Sequence, residues 1–325
     1  MEFIRSVLVQ DVTPASDGIY TYDLPVNPLS HIVLTLKALN NGANTKATLA
    51  QLLGALEKVE VLHEGSAVVS LNGADLYALD CVLLGREPIQ ENVINTANAT
   101  RAISLVIPLG RSLYNPNECF FGVKKGELQL QIQIDIADTG YSGVIFQIET
   151  VELPGASPSN YLKSTTLSYT PAATGEVDVD LPIGAVFAGI LLWATTVPTG
   201  TAWTATIDWV KLLKDNKEFM YSKTNWESLH GDLINRIQNP FAYAEKIHME
   251  NTATAYTANA DTAAEEQVAS DLANYAYMEF DPSGRDEFLV QTQGLSRFHL
   301  RINAGDTNAL RIIPVRLVGG VGAGS

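Results

Sequence analysis

The sequence predicts an all-β protein made of two similar β-sandwich modules. Three observations carry that prediction. Short apolar runs, alternating or continuous, are bounded by Gly, Pro, Asn and Asp, which is the pattern of strands and turns. A plan of segments recurs in the same order at offsets of 157 to 168 residues. The chain has 325 residues with 46% apolar and 18% charged side chains, enough for about two cores and too apolar for disorder.

Taken along the chain, Ile4–Val12, Ile32–Leu39, Ala102–Leu109, Leu128–Ile136 and Val144–Val151 read as strands. In the fourth, Leu128, Leu130, Ile132, Ile134 and Ile136 alternate with Gln129, Gln131, Gln133 and Asp135, so one face is buried and the other wet. Leu49, Leu52, Leu53 and Leu56 have helical spacing but compete with a strand, which leaves Thr45–Glu57 open between the two. Leu76, Leu79 and Leu83 form a helical stripe after Gly73, with Gly85 placed as a C-cap. Trp226, Leu229, Leu233, Ile234 and Ile237 form a second stripe, opened by a Thr224-x-x-Glu227 capping box and closed before Pro240. No charge falls between Asp180 and Asp208, and Ile183–Trp193 is nearly all apolar. A membrane span needs about 20 apolar residues; Pro, Gly and Thr interrupt this run, so a buried hairpin turning at Pro198-Thr199-Gly200 is expected.

The repeat has four members. Asp23-Leu24-Pro25-Val26 matches Asp180-Leu181-Pro182-Ile183, Leu52–Leu62 matches Val210–Met220, the two helical stripes follow, and Ala137-Asp-Thr-Gly140 matches the Gly305-Asp-Thr-Asn308 turn. Modules at 1–155 and 163–325 are expected, joined by a linker at 156–162. The drift in offset places a longer loop in the second module around 251–271, an Ala/Thr-rich stretch that is a surface insertion or a short helix opened by Thr262-x-x-Glu265.

The formal net charge is −15 and the pI near 4.7, split as −8 before residue 160 and −7 after it. Phosphate binding needs clustered Lys and Arg. None occurs, so direct nucleic-acid binding is not expected. Cys81 and Cys119 lack metal or disulfide spacing and read as buried thiols. The N-terminus has no basic-then-apolar signal pattern, and Asn98-Ala-Thr100 reads as a chance sequon.

Chemistry is sparse. His31, His63, His230, His248 and His299 form no H-x-H or H-E-x-x-H pair, so they read as surface or hydrogen-bonded core groups. Gly140-Tyr-Ser142-Gly143 lacks nucleophile-elbow spacing, and Gly319–Gly324 is a glycine-rich tail. Asp178/Asp180 and Glu149/Glu152 are acid pairs of the kind glycoside hydrolysis uses, and solvated strand faces account for them better. Trp193, Trp203, Trp209, Tyr275 and Tyr277 suit a core or an interface better than a sugar platform. Asp138 and Asp306 lack EF-hand spacing. No residue is assigned as catalytic, cofactor-binding or metal-ligating, no cofactor is expected, and the chain does not read as an enzyme.

The two-fold plan, the Tyr22-Asp-Leu-Pro25 segment, Val69-Ser-Leu-Asn-Gly73 leading into Ala74-Asp-Leu-Tyr77, and the terminal strand pairs together resemble the double jelly-roll major capsid proteins of tailless icosahedral viruses, especially bacterial ones. The resemblance covers the whole chain and implies two tandem jelly rolls, a homotrimer of pseudo-hexagonal outline, and trimers tiling an icosahedral shell. It also implies penton and minor capsid proteins and an internal lipid membrane as partners, and a virion location after assembly in the host cytoplasm. The competing expectation is a carbohydrate-binding or carbohydrate-active double β-sandwich, such as a receptor-binding spike or a glycosidase. A surface-layer protein is a third, weakened by the missing secretion signal.

Overall fold

A computed structural model describes residues 2–40, 49–88, 90–92, 98, 100–136, 141–198, 203–237, 247–251, 256–260 and 272–319. The first half contains β1 (Ile4–Val12), β2 (Gly18–Asp23), β3 (Leu29–Asn40), α1 (Leu49–Gly54), β4 (Leu56–His63), β5 (Ser66–Leu71), α2 (Gly73–Leu84), β6 (Gln90–Asn92), β7 (Thr100–Pro108), β8 (Leu128–Ile134) and β9 (Tyr141–Glu152). The second contains β10 (Asn160–Thr165), β11 (Leu167–Tyr169), β12 (Gly175–Asp180), β13 (Val186–Ala194), β14 (Ile207–Lys214), β15 (Lys217–Glu218), β16 (Thr224–Asn225), α3 (Trp226–Arg236), β17 (Ile247–Asn251), β18 (Tyr256–Ala260), β19 (Tyr275–Glu279), β20 (Val290–Gln291), β21 (Phe298–Ala304) and β22 (Leu310–Gly319).

Hydrogen-bonded neighbours show the duplication directly. In the first half the strand order is β1-β9-β3-β7 in one sheet and β2-β8-β4-β5 in the other; in the second it is β10-β22-β13-β19 and β12-β21-β14-β15. The two sets correspond strand for strand, and each is an eight-stranded jelly roll. The sheets also join across the halves: β10 runs parallel to β5, with Ser164 opposite Val69 and Thr165 opposite Ser70. One sheet therefore runs β19-β13-β22-β10-β5-β4-β8-β2 through both jelly rolls. In each half a helix, α2 or α3, follows the same point of the strand order.

Burial follows the sequence pattern. In β8 every second residue is buried, as its Leu/Ile and Gln alternation requires. β13 is apolar throughout because both its faces are covered. Phe187, Ile190 and Leu192 point into the core of the second jelly roll, while Ala188 and Leu191 pack into a cluster shared with the first.

Several expectations change. β13 and β14 do not form a hairpin: β13 pairs with β19, β20 and β22, and β14 with β15, β16 and β21. β13 and β14 belong to different sheets, and Thr199 and Gly200 of the expected turn lie outside the described residues. Thr224 does not cap α3; it lies in β16, and Asn225 holds the cap position without a side-chain hydrogen bond. Leu52–Leu62 and Val210–Met220 are misaligned, because Leu52 and Leu53 lie in α1 and the strand openings that correspond are Leu56 and Ile207. The ambiguous stretch is a helix and then a strand, with residues 45–48 outside the described residues. At the expected loop around 251–271, β18 pairs antiparallel with β17, which precedes it; Thr262 and Glu265 lie outside the described residues, as do 137–140 and 320–325. Residues 305–308 link β21 to β22, the place that 137–140 hold between β8 and β9. Among the described residues no helix is long and apolar enough to cross a membrane.

Candidate functional site

The most elaborate polar arrangement is the seam between the jelly rolls. Asp75 lies in the first turn of α2 and is 0% exposed. Arg311 of β22 donates from Nε to both carboxylate oxygens at 3.0 Å and from Nη2 to Oδ1 at 2.8 Å. The Tyr275 hydroxyl of β19 donates to the same carboxylate at 2.8 Å, and Thr166 Oγ1 at 3.0 Å. Burial, reinforced by the Asp75 charge, holds the Tyr275 phenol well above its usual pKa. Behind the pair, the Arg311 guanidinium carbon lies 3.6 Å from the centre of the Trp193 ring. A planar two-point ion pair of this kind fixes orientation as well as distance.

A second lock joins the loop after β7 to the loop after β19. Arg111 bonds Glu118 through Nε at 3.0 Å and Nη2 at 2.8 Å, and reaches Asp281 at 2.9 Å and Asp286 at 2.6 Å through Nη1. Burial works against its charge; the Glu118 and Asp286 carboxylates outweigh that and raise its pKa. Beside it opens a cleft of about 440 Å³ lined by Asn115, Asn160, Val186 and Leu317 among others. Arg236 of α3 adds a third tie, donating to the Val82 carbonyl of α2 at 2.7 Å and pairing with Glu279. Of these groups the sequence singled out Tyr275 and Trp193 as core or interface aromatics, and not the ion pairs that join them. The available signal was charge inside apolar runs: Asp75 and Asp80 interrupt an otherwise apolar helix, and a buried charge requires a partner.

The residues that the sequence did single out are scattered. His31 is buried against Ser30 Oγ at 2.9 Å and edge-on to Tyr114; burial, aided by Arg5, lowers its pKa to about 4. His230 Nδ1 meets the Tyr275 carbonyl at 2.7 Å, and His248 lies in β17. His299 is buried without a hydrogen-bond partner for either ring nitrogen, which corrects the expectation of a hydrogen-bonded core group; its Nε2 lies 3.6 Å from the Asp178 carboxylate. His63 packs edge-on to Phe120 and Phe121, and its ring shares a 4.8 Å neighbourhood with Glu64 and Glu127. Those three groups, two of them half-buried, are compatible with a divalent cation.

The acid pairs are committed to internal partners. Asp178 bonds Arg301 at 2.7 and 3.0 Å, and that contact holds its carboxyl below the usual range. Asp180 pairs with Arg297, Glu149 with Arg5, and Glu152 accepts from Asn27. Asp306 accepts from the Asn308 backbone. Tyr275 and Tyr277 are buried, Trp193 lies under Arg311, and Trp209 lies under Lys211 and Lys223, so these rings form no shared platform. Trp203 stands apart at 85% exposure. Cys81 and Cys119 are buried thiols, as expected.

Apolar exposure concentrates elsewhere. Ile4 and Val7 of β1, with Phe3 just before it, are exposed, and among the described residues β1 is an edge strand paired on one side, to β9. Met220 is exposed between β15 and β16, and Ile183 and Phe288 on other loops. Unpaired edges with apolar side chains are the features by which β-proteins associate.

No protein-family model and no curated protein matches the chain. Solved structures do. The major capsid protein of Bacteriophage PM2 superposes with a TM-score of 0.64 at 13% identity over 100% of both chains. The major capsid protein of Sulfolobus turreted icosahedral virus gives 0.65 at 12% identity over 98% of this chain and 97% of that one. The PBCV-1 virus capsid gives 0.59 at 9% identity over 100% and 96%. The fold thus defines the class: an all-β double jelly roll. In particular, it is the double jelly roll of those viral capsid proteins, end to end.

Proposed function

We propose that the protein is a viral major capsid protein whose activity is assembly. The observation that carries this is the full-length correspondence, in both directions, with capsid double jelly rolls. In this reading, jelly rolls at 1–155 and 163–325, joined by a linker at 156–162, form one subunit. Three subunits make a pseudo-hexagonal capsomer, and capsomers tile an icosahedral shell. The role is structural, and the pairing of the candidate carboxylates with Arg and Asn supports that. Its partners are further copies of itself, penton and minor capsid proteins, and a lipid layer beneath the shell. It belongs in the virion after assembly in the host cytoplasm. The acidic chain leaves nucleic acid to other components.

Size-exclusion chromatography with light scattering tests this on the purified chain. A species of three chain masses at micromolar concentration is expected. A strictly monomeric species near neutral pH contradicts it.

A further inference from the structure

The turn between β4 and β5 and the turn between β14 and β15 occupy equivalent places in the two jelly rolls. Each has two residues in left-handed backbone, Glu64 at φ 49° and Gly65 at 78° in the first, Asp215 at 48° and Asn216 at 63° in the second. Each is tied to the neighbouring strand by the same bond. The Glu64 N–H donates to the Glu127 carbonyl at 2.8 Å, and the Asp215 N–H to the Arg297 carbonyl at 2.9 Å. The flanking register agrees, since His63 pairs with Leu128 and Lys214 with Phe298. His63 is thus the counterpart of Lys214, Glu64 of Asp215 and Glu127 of Arg297.

The charges at the two turns are balanced differently. In the second jelly roll the chain satisfies its own acid. The Asp215 carboxylate accepts from Ser296 Oγ at 2.7 Å, the Arg297 N–H at 3.1 Å and the Ser296 N–H at 2.9 Å, and these bonds, with the Lys214 charge, hold it below its usual pKa. In the first jelly roll an imidazole replaces the ammonium and a second carboxylate replaces the guanidinium. Ligand atoms of His63, Glu64 and Glu127 lie within 4.8 Å of one another. Glu127 is positioned by the Lys124 N–H at 2.8 Å, and the exposed Lys124 ammonium stands off at 3.7 Å. Among the described residues, no hydrogen bond or ion pair engages the His63 ring nitrogens or the Glu64 carboxylate. The His63 ring is fixed edge-on by Phe120 and Phe121, with centroids 5.4 and 5.1 Å away.

We propose that His63, Glu64 and Glu127 bind one divalent transition-metal ion of the zinc class per chain, supplying from outside the positive charge that the second turn carries in its own sequence. The donor set selects the ion. Imidazole suits zinc and its neighbours, whereas calcium and magnesium take oxygen ligands throughout. The spacing fits as well. An ion at the centre of three atoms no more than 4.8 Å apart stands no more than about 2.8 Å from each, and small side-chain rotations close that to the roughly 2.0–2.2 Å of zinc–nitrogen and zinc–oxygen bonds. Three protein ligands leave a fourth tetrahedral position for water. Bound there, the ion clamps the β4–β5 turn to the start of β8 and stabilises the folded chain. The site is complete within one chain and stands independently of the assembly reading.

Isothermal titration calorimetry of the full chain with zinc chloride, in a buffer that does not bind metal, tests this. One ion per chain with micromolar affinity is expected, reversed by EDTA and accompanied by a higher thermal midpoint. His63→Ala, Glu64→Gln and Glu127→Gln should each weaken binding at least about tenfold with unchanged circular dichroism. Glu64→Gln, at an exposed turn position, keeps the test valid if His63→Ala disturbs the packing on Phe120. His230→Ala, on α3, should bind zinc as the wild type does. A wild-type chain that takes up no zinc, or zinc binding that His63→Ala and Glu64→Gln leave unchanged, overturns the site. Calcium or magnesium binding as tightly as zinc contradicts the role given to the imidazole.

Discussion

Removing the Asp75 carboxylate with Asp75→Ala would leave the Arg311 guanidinium and the buried Tyr275 hydroxyl without their acceptor at the seam. Breaking a buried ion pair from one side costs about 3–5 kcal/mol, and stranding a buried hydroxyl about 1–3 kcal/mol. These overlap, so a loss of about 4–6 kcal/mol is expected. Asp75 also lies in the first turn of α2, where a carboxylate is worth about 0.3–1 kcal/mol through the helix dipole, too little to account for such a loss. Arg311→Met separates the two effects, because it leaves the helix intact and an apolar stem over Trp193. It should cost about 3–5 kcal/mol. The double variant should cost clearly less than the sum, giving a coupling of at least about 2 kcal/mol. Urea unfolding followed by tryptophan fluorescence reads this close to its source, since Trp193 stacks on Arg311. Calorimetry should show the single endotherm separating as the two jelly rolls uncouple. A loss under about 1 kcal/mol for Asp75→Ala, or strict additivity in the double variant, would mean that the buried pair does not hold the seam together.

Asp80 of α2 is buried and accepts the Val106 N–H at 2.9 Å; burial, only partly offset by that bond and by Arg86, raises its pKa to about 7. The folded chain therefore keeps a proton that the unfolded chain loses above about pH 4, so this group lowers stability as pH rises from about 4 to 7, by up to about 1.4 kcal/mol per pH unit. Asp80→Asn should raise stability at pH 8 by about 2–4 kcal/mol and change it little at pH 4; an equal effect at both pH values in urea melts would contradict this. Burial also raises the Cys119 thiol to about 11, and Cys81 is equally enclosed. Ellman's reagent at pH 8 should find no thiol in the folded chain and two after unfolding, and a thiol that titrates within minutes in the native protein would count against the packing described.

The strands were legible wherever one face is wet. Leu128–Ile134 alternates because Gln129, Gln131 and Gln133 face outward, and the Asp-Leu-Pro segments after β2 and β12 marked equivalent places in the two jelly rolls. Strand partners were less legible. The run through β13 is apolar because two cores cover it, and such a run carries no alternation to say which strand lies beside it; proximity in sequence then suggested a hairpin with β14 that the fold does not contain. The seam was hidden for a related reason. Asp75 and Arg311 are 236 positions apart, so no local spacing links them, and only their place inside apolar segments hints that each needs a partner. The offsets in the repeat drifted because the loop between α3 and β19 is longer than its counterpart between α2 and β7.

In the proposed function, this chain builds a shell from copies of itself. Electron microscopy of the purified protein at micromolar concentration and near-neutral pH tests it most directly. Closed particles of three chains with six similar lobes, one for each jelly roll, are expected. Isolated two-lobed monomers, or two-fold dimers joined through identical surfaces, would contradict it.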